Sequence, residues 1–278
     1  MKRIIITADD FGSSLSVNAA VERAHREGVL NTASLMVGGV ALDDALERAS
    51  RLPDLQIGLH LALVNASPVA PLAEVANLVD SRGRFPSNLV TAGIRYFFNK
   101  RIRHQLAREI QAQFEAFRET GLALDHANSH NHMHLHPTVG RMLIRIGKTY
   151  GLKAVRYPCE PLSIAFSVHG STSGWKCLTQ IGLMPWLTDL KRNIVRAGLK
   201  SNRFIFGMRD SGRLTLPLLC RFLEHLPDGV TEFYFRPGAA GSETHDELSI
   251  LTSPVFQRAI ESSGAEMTTF SELVTGYR

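Results

Sequence analysis

Two hydrophobic periods alternate along the chain. Short apolar runs bounded by Gly, Pro, Asp or Asn read as buried strands at 3–8, 32–37, 56–61, 122–130, 152–157, 203–206, 230–236 and 265–268. Between them, 14–27, 41–52, 89–119, 137–150, 185–199, 215–225, 254–262 and 271–276 place apolar residues at helical spacing. Punctuation residues mark the helix ends. Gly28 follows the first helix, Pro53 stops the second, Asn99 interrupts the third and Pro137 opens the fourth. The connection 62–88, with Pro68, Pro71 and Pro86, has the length of a functional or lid-like loop. The alternation weakens over 158–202, which predicts an irregular insertion. No repeat and no linker divides the chain, so residues 1–278 read as a single domain.

Strands alternating with helices predict a parallel sheet. No glycine-rich dinucleotide fingerprint follows the first strand. The expected fold is therefore α/β, an irregular (β/α) TIM-like barrel. Functional side chains in such a barrel gather at the carboxyl ends of the strands. Four of those ends carry polar residues: Asp9 and Asp10 on the first strand, His60 on the third, His130 on the fourth and Arg236 on the seventh. A helix-capping role for Asp10 would leave Asp9 unexplained, and two carboxylates at the end of a buried strand need a cation or hydrogen bonds. A lone histidine in an apolar run is more often a satisfied core residue. It is the convergence on one rim that points to a shared site.

Residues 125–137 hold five of the eleven histidines: His126, His130, His132, His134 and His136. Pro137 cannot lie in a continuing central strand, so a strand should end near Asn128 to His130 and the remaining histidines should spread into a loop. One carboxylate with two imidazoles is a ligand set for a catalytic divalent metal with open positions. Asp10, His60 and His130 are assigned as ligands, leaving Asp9 as a general base on the attacking water. The reaction class is metal-assisted hydrolysis of an amide, ester or related bond, and a phosphoesterase is the rival within it. No nucleophile elbow supports a covalent route.

Composition narrows this further. The formal net charge is +5 and the pI about 9.3, but no long Lys/Arg run marks a nucleic-acid arm. Cys159, Cys177 and Cys220 lack metal-type spacing and read as free thiols in a reducing, cytoplasmic setting. The first residues are too short and too polar for a signal peptide, and no apolar stretch is long enough to span a membrane. Two segments, 94–103 and 184–200, mix aromatic or aliphatic residues with Lys and Arg. They suggest peripheral contact with an anionic membrane face; a barrel exterior or an oligomer contact would use the same pattern.

Thr-Ala-Asp-Asp-Phe-Gly at 7–12, Gly-Leu-His-Leu at 58–61 and Ser-His-Asn-His-Met-His at 129–134 resemble the signature of the YdjC-like carbohydrate deacetylases. The likeness extends through 33–37, the strand with Arg156 and Thr231-Glu232-Phe233, and so covers most of the chain. The His134-Leu135-His136-Pro137 ending is more similar to the hopanoid-biosynthesis-associated branch than to the chitooligosaccharide one. The resemblance implies an irregular barrel that removes N-acetyl groups from amino sugars with one divalent ion, Mg²⁺ or Zn²⁺. It implies metal at Asp10, His60 and His130 with Asp9 as base, in agreement with the residues read above. It also implies a homodimer and a sugar substrate, here an N-acetylglucosamine-type sugar on a hopanoid glycolipid. Asn128, His132, His134 and Arg156 are expected on the substrate side. Asn128 stands where the family commonly has Asp, and Arg236-Pro237 where it usually reads His-Pro. Arginine is a poor acid but can stabilise an oxyanion, so His132 or His134 is the alternative proton donor. A chitooligosaccharide deacetylase, or a metal-dependent sugar-binding protein with weak or no activity, is the alternative function.

Overall fold

The structure is a computed structural model. It describes residues 1–161, 164, 167–168, 174–208, 210, 213–238 and 247–276, with only the backbone of 174–181. Seven parallel strands form one sheet: β1 (Lys2–Phe11), β2 (Thr32–Leu35), β3 (Gln56–Leu61), β4 (Ala127–Ser129), β5 (Phe204–Phe206), β6 (Gly229–Phe235) and β7 (Glu266–Met267). Their order is β4-β3-β2-β1-β6-β5, with β7 pairing the first half of β1. Helices α1 (Leu15–Glu27), α2 (Leu42–Ala49), α3 (Leu72–Val75), α4 (Leu89–Phe98), α5 (Lys100–Glu119), α6 (Pro137–Thr149), α7 (Gly174–Arg196), α8 (Leu216–Glu224), α9 (Glu247–Leu251), α10 (Pro254–Ser262) and α11 (Phe270–Thr275) fill the connections. β1 lies at the centre, and its Ile4, Ile5 and Ile6 are fully buried. This is why it reads as an uninterrupted apolar run rather than an alternating one.

The sheet curls into an incomplete barrel, which corrects the expectation of a closed TIM-like ring. The strand expected at 152–157 is not formed. Instead Ala127 bridges Val155 and Ala154 bridges Lys200, one residue pair at a time. Asn202 spans the remaining gap: its side chain accepts from Tyr157 N and donates to the carbonyls of Tyr157 and Phe204. Pro158, lacking an N–H, follows this segment and ends any ladder there. β4 is also shorter than expected, because His130 already opens a 3-10 turn, His130–Leu135. The insertion expected at 158–202 is helical over Gly174–Arg196, while 162–163, 165–166 and 169–173 lie outside the described residues.

Helix ends follow local chemistry. Asn99 ends α4 and caps α5, its side chain accepting from Arg101 N and Ile102 N. Thr269 and Glu272 form a reciprocal capping box on α11. Gly28 is not left-handed, as a glycine past a helix end often is; a Cβ there would collide with the Leu251 carbonyl of α9. The long connection 62–88 is braced rather than loose. Glu109 on α5 accepts from Val69 N and Ala70 N, Gln113 accepts from Ala62 N, and Gln105 accepts from Asn77 N. These three α5 residues are four apart, so they lie on one face of the helix.

Candidate metal centre

β1 carries a register shift between Ala8 and Phe11, and Asp10 within it has φ +64°. In a regular strand Asp9 and Asp10 would point to opposite faces. The bulge re-aims Asp10, which joins His60 and His130 at the barrel mouth while Asp9 lies just beneath. Asn131 and His132 are also left-handed, at φ +53° and +52°. Three of the four non-glycine residues with positive φ among those described thus lie at this mouth. Such conformations cost on the order of 1 kcal/mol or more each and concentrate at functional sites.

Asp10 Oδ1 lies 2.8 Å from His130 Nδ1 and 3.1 Å from His60 Nε2. The ligand atoms of Asp10, His60 and His130 all fall within 4.8 Å of one another. His60 Nδ1 donates to Asn128 Oδ1 at 2.7 Å, while Asn128 Nδ2 donates to Ser34 Oγ and Asp9 Oδ1. That arrangement fixes the His60 tautomer: the proton is on Nδ1 and the lone pair on Nε2. Nε2 is buried without a hydrogen-bond partner. An orphaned imidazole lone pair facing a carboxylate and a second imidazole fits a cation. The donor set, two nitrogens and one oxygen, can hold a divalent metal. Burial alone would raise the Asp10 carboxyl, but the His130 hydrogen bond and the close His60 imidazole outweigh it and hold the group far below the usual carboxylate range.

Asp9 sits one layer deeper. Arg156 grips it with two hydrogen bonds of 2.7 and 2.9 Å, and the same guanidinium forks onto Glu232 at 2.7 to 3.0 Å. Burial would raise the Asp9 carboxyl, but the charge of Arg156 and its hydrogen bonds drive it well below its ordinary value. Arg156 is 0% exposed. The structure therefore places it behind Asp9 as a brace, not on a substrate-facing surface. Glu232, which accepts from Thr7 as well, was no candidate in the sequence. Its signal was there: a carboxylate inside an apolar run must find a buried partner.

His134 is also structural in its contacts. Its Nδ1 meets Ser129 Oγ at 2.7 Å and its Nε2 the Arg156 carbonyl at 3.1 Å. Burial first, then Arg156, pushes its pKa down to about 3. The His132 imidazole is lowered well below 6.5 by burial and by Arg156, and it packs edge-on against Tyr234. Both are held as neutral imidazoles near neutral pH, which argues against either as the expected proton donor. Asn128 is fully buried beneath the ligands, so it orients His60 and has no face for a substrate. Arg236 follows β6 at the rim; its Nε is 3.4 Å from Asp10 Oδ2 and its Nη2 3.5 Å from Asn131 Oδ1.

Below the ligands a further polar chain went unread in the sequence. Ser271 on α11 donates to Asp125, Asp125 meets His126 Nδ1 at 2.8 Å, and His126 Nε2 meets Ser34 Oγ at 3.0 Å. Ser34 then accepts from Asn128. Gly58 on β3 makes this possible, because a Cβ there would strike the His126 ring. Beside the mouth, Gly93 and Ile94 of α4, His132 and Leu135 of the turn, and Leu183 and Trp186 of α7 line an almost wholly apolar pocket of about 470 Å³.

The sequence and the fold have known counterparts. The chain belongs to the YdjC-like protein family, whose model matches residues 3–262. Over 274 residues it is 28% identical to a carbohydrate deacetylase of Brevibacillus brevis, spanning 98% of this chain and 99% of that one. A 150-residue stretch, 53% of this chain and 56% of the other, is 37% identical to a carbohydrate deacetylase of Vibrio cholerae. Among solved structures, a proposed cellobiose-phosphate cleavage protein of Enterococcus faecalis superposes with a TM-score of 0.75 at 22% identity, over 98% of this chain and 99% of that one. A lactam utilization protein of Thermus thermophilus gives 0.51 at 12% identity, over 95% and 98% of the two chains. These two likenesses are of fold alone.

Proposed function

We propose that this protein is a metal-dependent carbohydrate deacetylase that removes the N-acetyl group of an N-acetylglucosamine-type sugar, carried on a hopanoid glycolipid. The observation that carries the reading is the unpartnered His60 Nε2 facing Asp10 and His130, with an ionised, clamped Asp9 one layer behind. The carbohydrate deacetylase relatives supply the reaction class. The hopanoid assignment is supported by the His134-Leu135-His136-Pro137 ending and by the apolar pocket beside the mouth of the candidate metal centre.

Asp10, His60 and His130 would hold a divalent cation, which would supply acidification of water and polarisation of a carbonyl oxygen. Two imidazoles favour Zn²⁺ over Mg²⁺, which prefers oxygen ligands. Asn128 holds His60 in the tautomer that offers Nε2. Arg156 keeps Asp9 ionised and fixed in place, so Asp9 accepts the proton of the attacking water. With His132 and His134 neutral, Asp9 is also the group that returns this proton to the departing nitrogen. Arg236, permanently charged at the rim, stabilises the negative charge that develops on the acetyl oxygen. Acetate and the free amine leave. A lipid-linked substrate would bring the protein to the cytoplasmic face of a membrane, and a homodimer is compatible with the reading.

Acetate release from an N-acetylglucosaminyl lipid in detergent, from chitobiose and from phosphate esters tests it. Release from the lipid-linked sugar above that from chitobiose is expected. Preference for chitobiose would move the substrate to free chitooligosaccharides. Binding of the acetylated sugar without acetate release would make the protein a sugar-binding module.

A further inference from the structure

The expectation that 184–200 lies on a membrane fails for most of its apolar residues. Leu187, Leu190, Ile194 and Leu199 are core, and Lys191 is turned onto Ser201 and the Tyr157 ring. Met184, Trp186 and Val195 remain exposed there, and a larger exposed apolar set lies on α4. On α4, Val90 is 71% and Phe98 76% exposed, with Leu89, Ile94 and Phe97 beside them. Across the apolar pocket, Trp186 of α7 is 40% exposed. The pocket's wall also includes Asn131 and His132, the two residues after the ligand His130. An exposed apolar patch of this kind therefore borders the mouth of the metal centre.

A cationic groove adjoins it. Arg103, His104, Thr138, Arg141 and Arg145 line a hollow of about 420 Å³ between α5 and α6. The two surfaces meet at the start of α6. His136 packs edge-on against Phe97 at 5.9 Å and Trp186 at 5.5 Å, and Thr138, two residues on, lines the groove. Arg141 is paired with Asp189, but Lys100, Arg101, Arg103 and Arg145 form no ion pair among the described residues.

We propose that α4, the tip of α7 at Trp186 and the Arg103–Arg145 groove together form a docking face for an anionic phospholipid bilayer, holding the mouth of the metal centre against the membrane surface. Charge complementarity selects this occupant. Unpaired arginines next to exposed aromatic side chains match the two signals, apolar insertion and attraction to anionic headgroups, that surface binding needs. Continuity with the catalytic mouth gives the face its use, since a headgroup sugar presented from the bilayer meets the apolar pocket first. The inference rests on the proposed glycolipid reading only for that use; docking itself needs no substrate.

Co-sedimentation with phosphatidylcholine vesicles, with and without phosphatidylglycerol and at low and high salt, tests it without any sugar present. The protein should bind only the anionic vesicles and release as salt rises. Arg103→Gln and Arg145→Gln should each weaken binding by a factor of about five, and Phe98→Ser should weaken it at both salt concentrations. All three variants should keep the wild-type melting temperature and turnover on a soluble acetylated sugar. Absent binding, equal binding to neutral vesicles, or variants that bind like wild type would overturn the proposal. So would a solution dimer that Phe98→Ser dissociates, because the face would then be a self-interface. Failure of the glycolipid reading shows elsewhere, as absent acetate release from the lipid-linked sugar in detergent.

Discussion

Arg156→Met is the sharpest perturbation of the layer beneath the ligands. The guanidinium is fully buried between two buried carboxylates, forking onto Asp9 at 2.7 and 2.9 Å and onto Glu232 at 2.7 to 3.0 Å. Methionine fills much of the volume but leaves both acids without their cation. Removing one partner of a buried pair typically costs about 3–5 kcal/mol, a large share of the roughly 5–15 kcal/mol that holds a domain folded. The orphaned acids would respond by protonating on folding, so their folded pKa values would lie above their unfolded ones. A group of that kind binds more protons folded than unfolded, and its contribution to stability falls as pH rises. The deficit should therefore be larger at pH 7 than at pH 5. Urea unfolding of wild type, Arg156→Met and Arg156→Met/Glu232→Gln at both pH values measures it. The double variant should recover part of the loss, having one orphaned carboxylate fewer. Arg156→Lys, which keeps the charge but not the two forks, should fall between. An Arg156→Met protein within about 1 kcal/mol of wild type at pH 7 would refute the bracing role.

Three further outcomes follow from the same geometry. Asn128→Leu removes the acceptor that fixes the His60 tautomer, and metal affinity measured by calorimetry should fall about 10- to 100-fold; unchanged affinity would mean that His60 needs no orienting partner. Arg236→Ala should lower kcat by roughly 10²–10³ with little change in KM if the guanidinium stabilises the developing oxyanion, whereas a change in KM alone would make Arg236 a binding residue. Metal-free protein should lose stability as pH falls from 6.5 toward 3, because His134 is held neutral down to about 3 when folded but protonates near 6.5 when unfolded. Each such histidine adds a slope of up to about 1.4 kcal/mol per pH unit in that window, and His134→Gln should flatten the curve.

Asp9, Asp10, His60, His130 and Arg236 could be found in the sequence because a parallel α/β chain writes its rim plainly. Each sits at the carboxyl end of an apolar run, where a polar residue has no packing reason to be. The layer below was harder to read. Arg156 and His134 looked substrate-facing from their neighbours in sequence, but their contacts come from β1, β4 and β6, which only the curl of the sheet brings together. The same holds for the chain from Ser271 through His126 to Ser34, whose members are separated by more than two hundred residues at its ends. Periodicity also failed at the site itself. The left-handed Asp10 and the turn at Asn131 and His132 break the two-residue repeat that would have sent neighbouring side chains to opposite faces. The 152–157 run was apolar enough for a strand, yet it makes only single bridges because Asn202 and the Lys200 backbone meet it irregularly. On α7, amphipathic spacing marked a buried face, and spacing alone does not say whether protein or lipid covers it.

The most direct measurement is acetate release from an N-acetylglucosaminyl substrate by one protein preparation, before chelation, after it, and after return of Zn²⁺ or Mg²⁺, with Asp9→Asn alongside. The account predicts that chelation abolishes release, that a divalent ion restores it, and that Asp9→Asn binds the ion yet releases no acetate. Full turnover by the metal-free protein, or by Asp9→Asn, would contradict it.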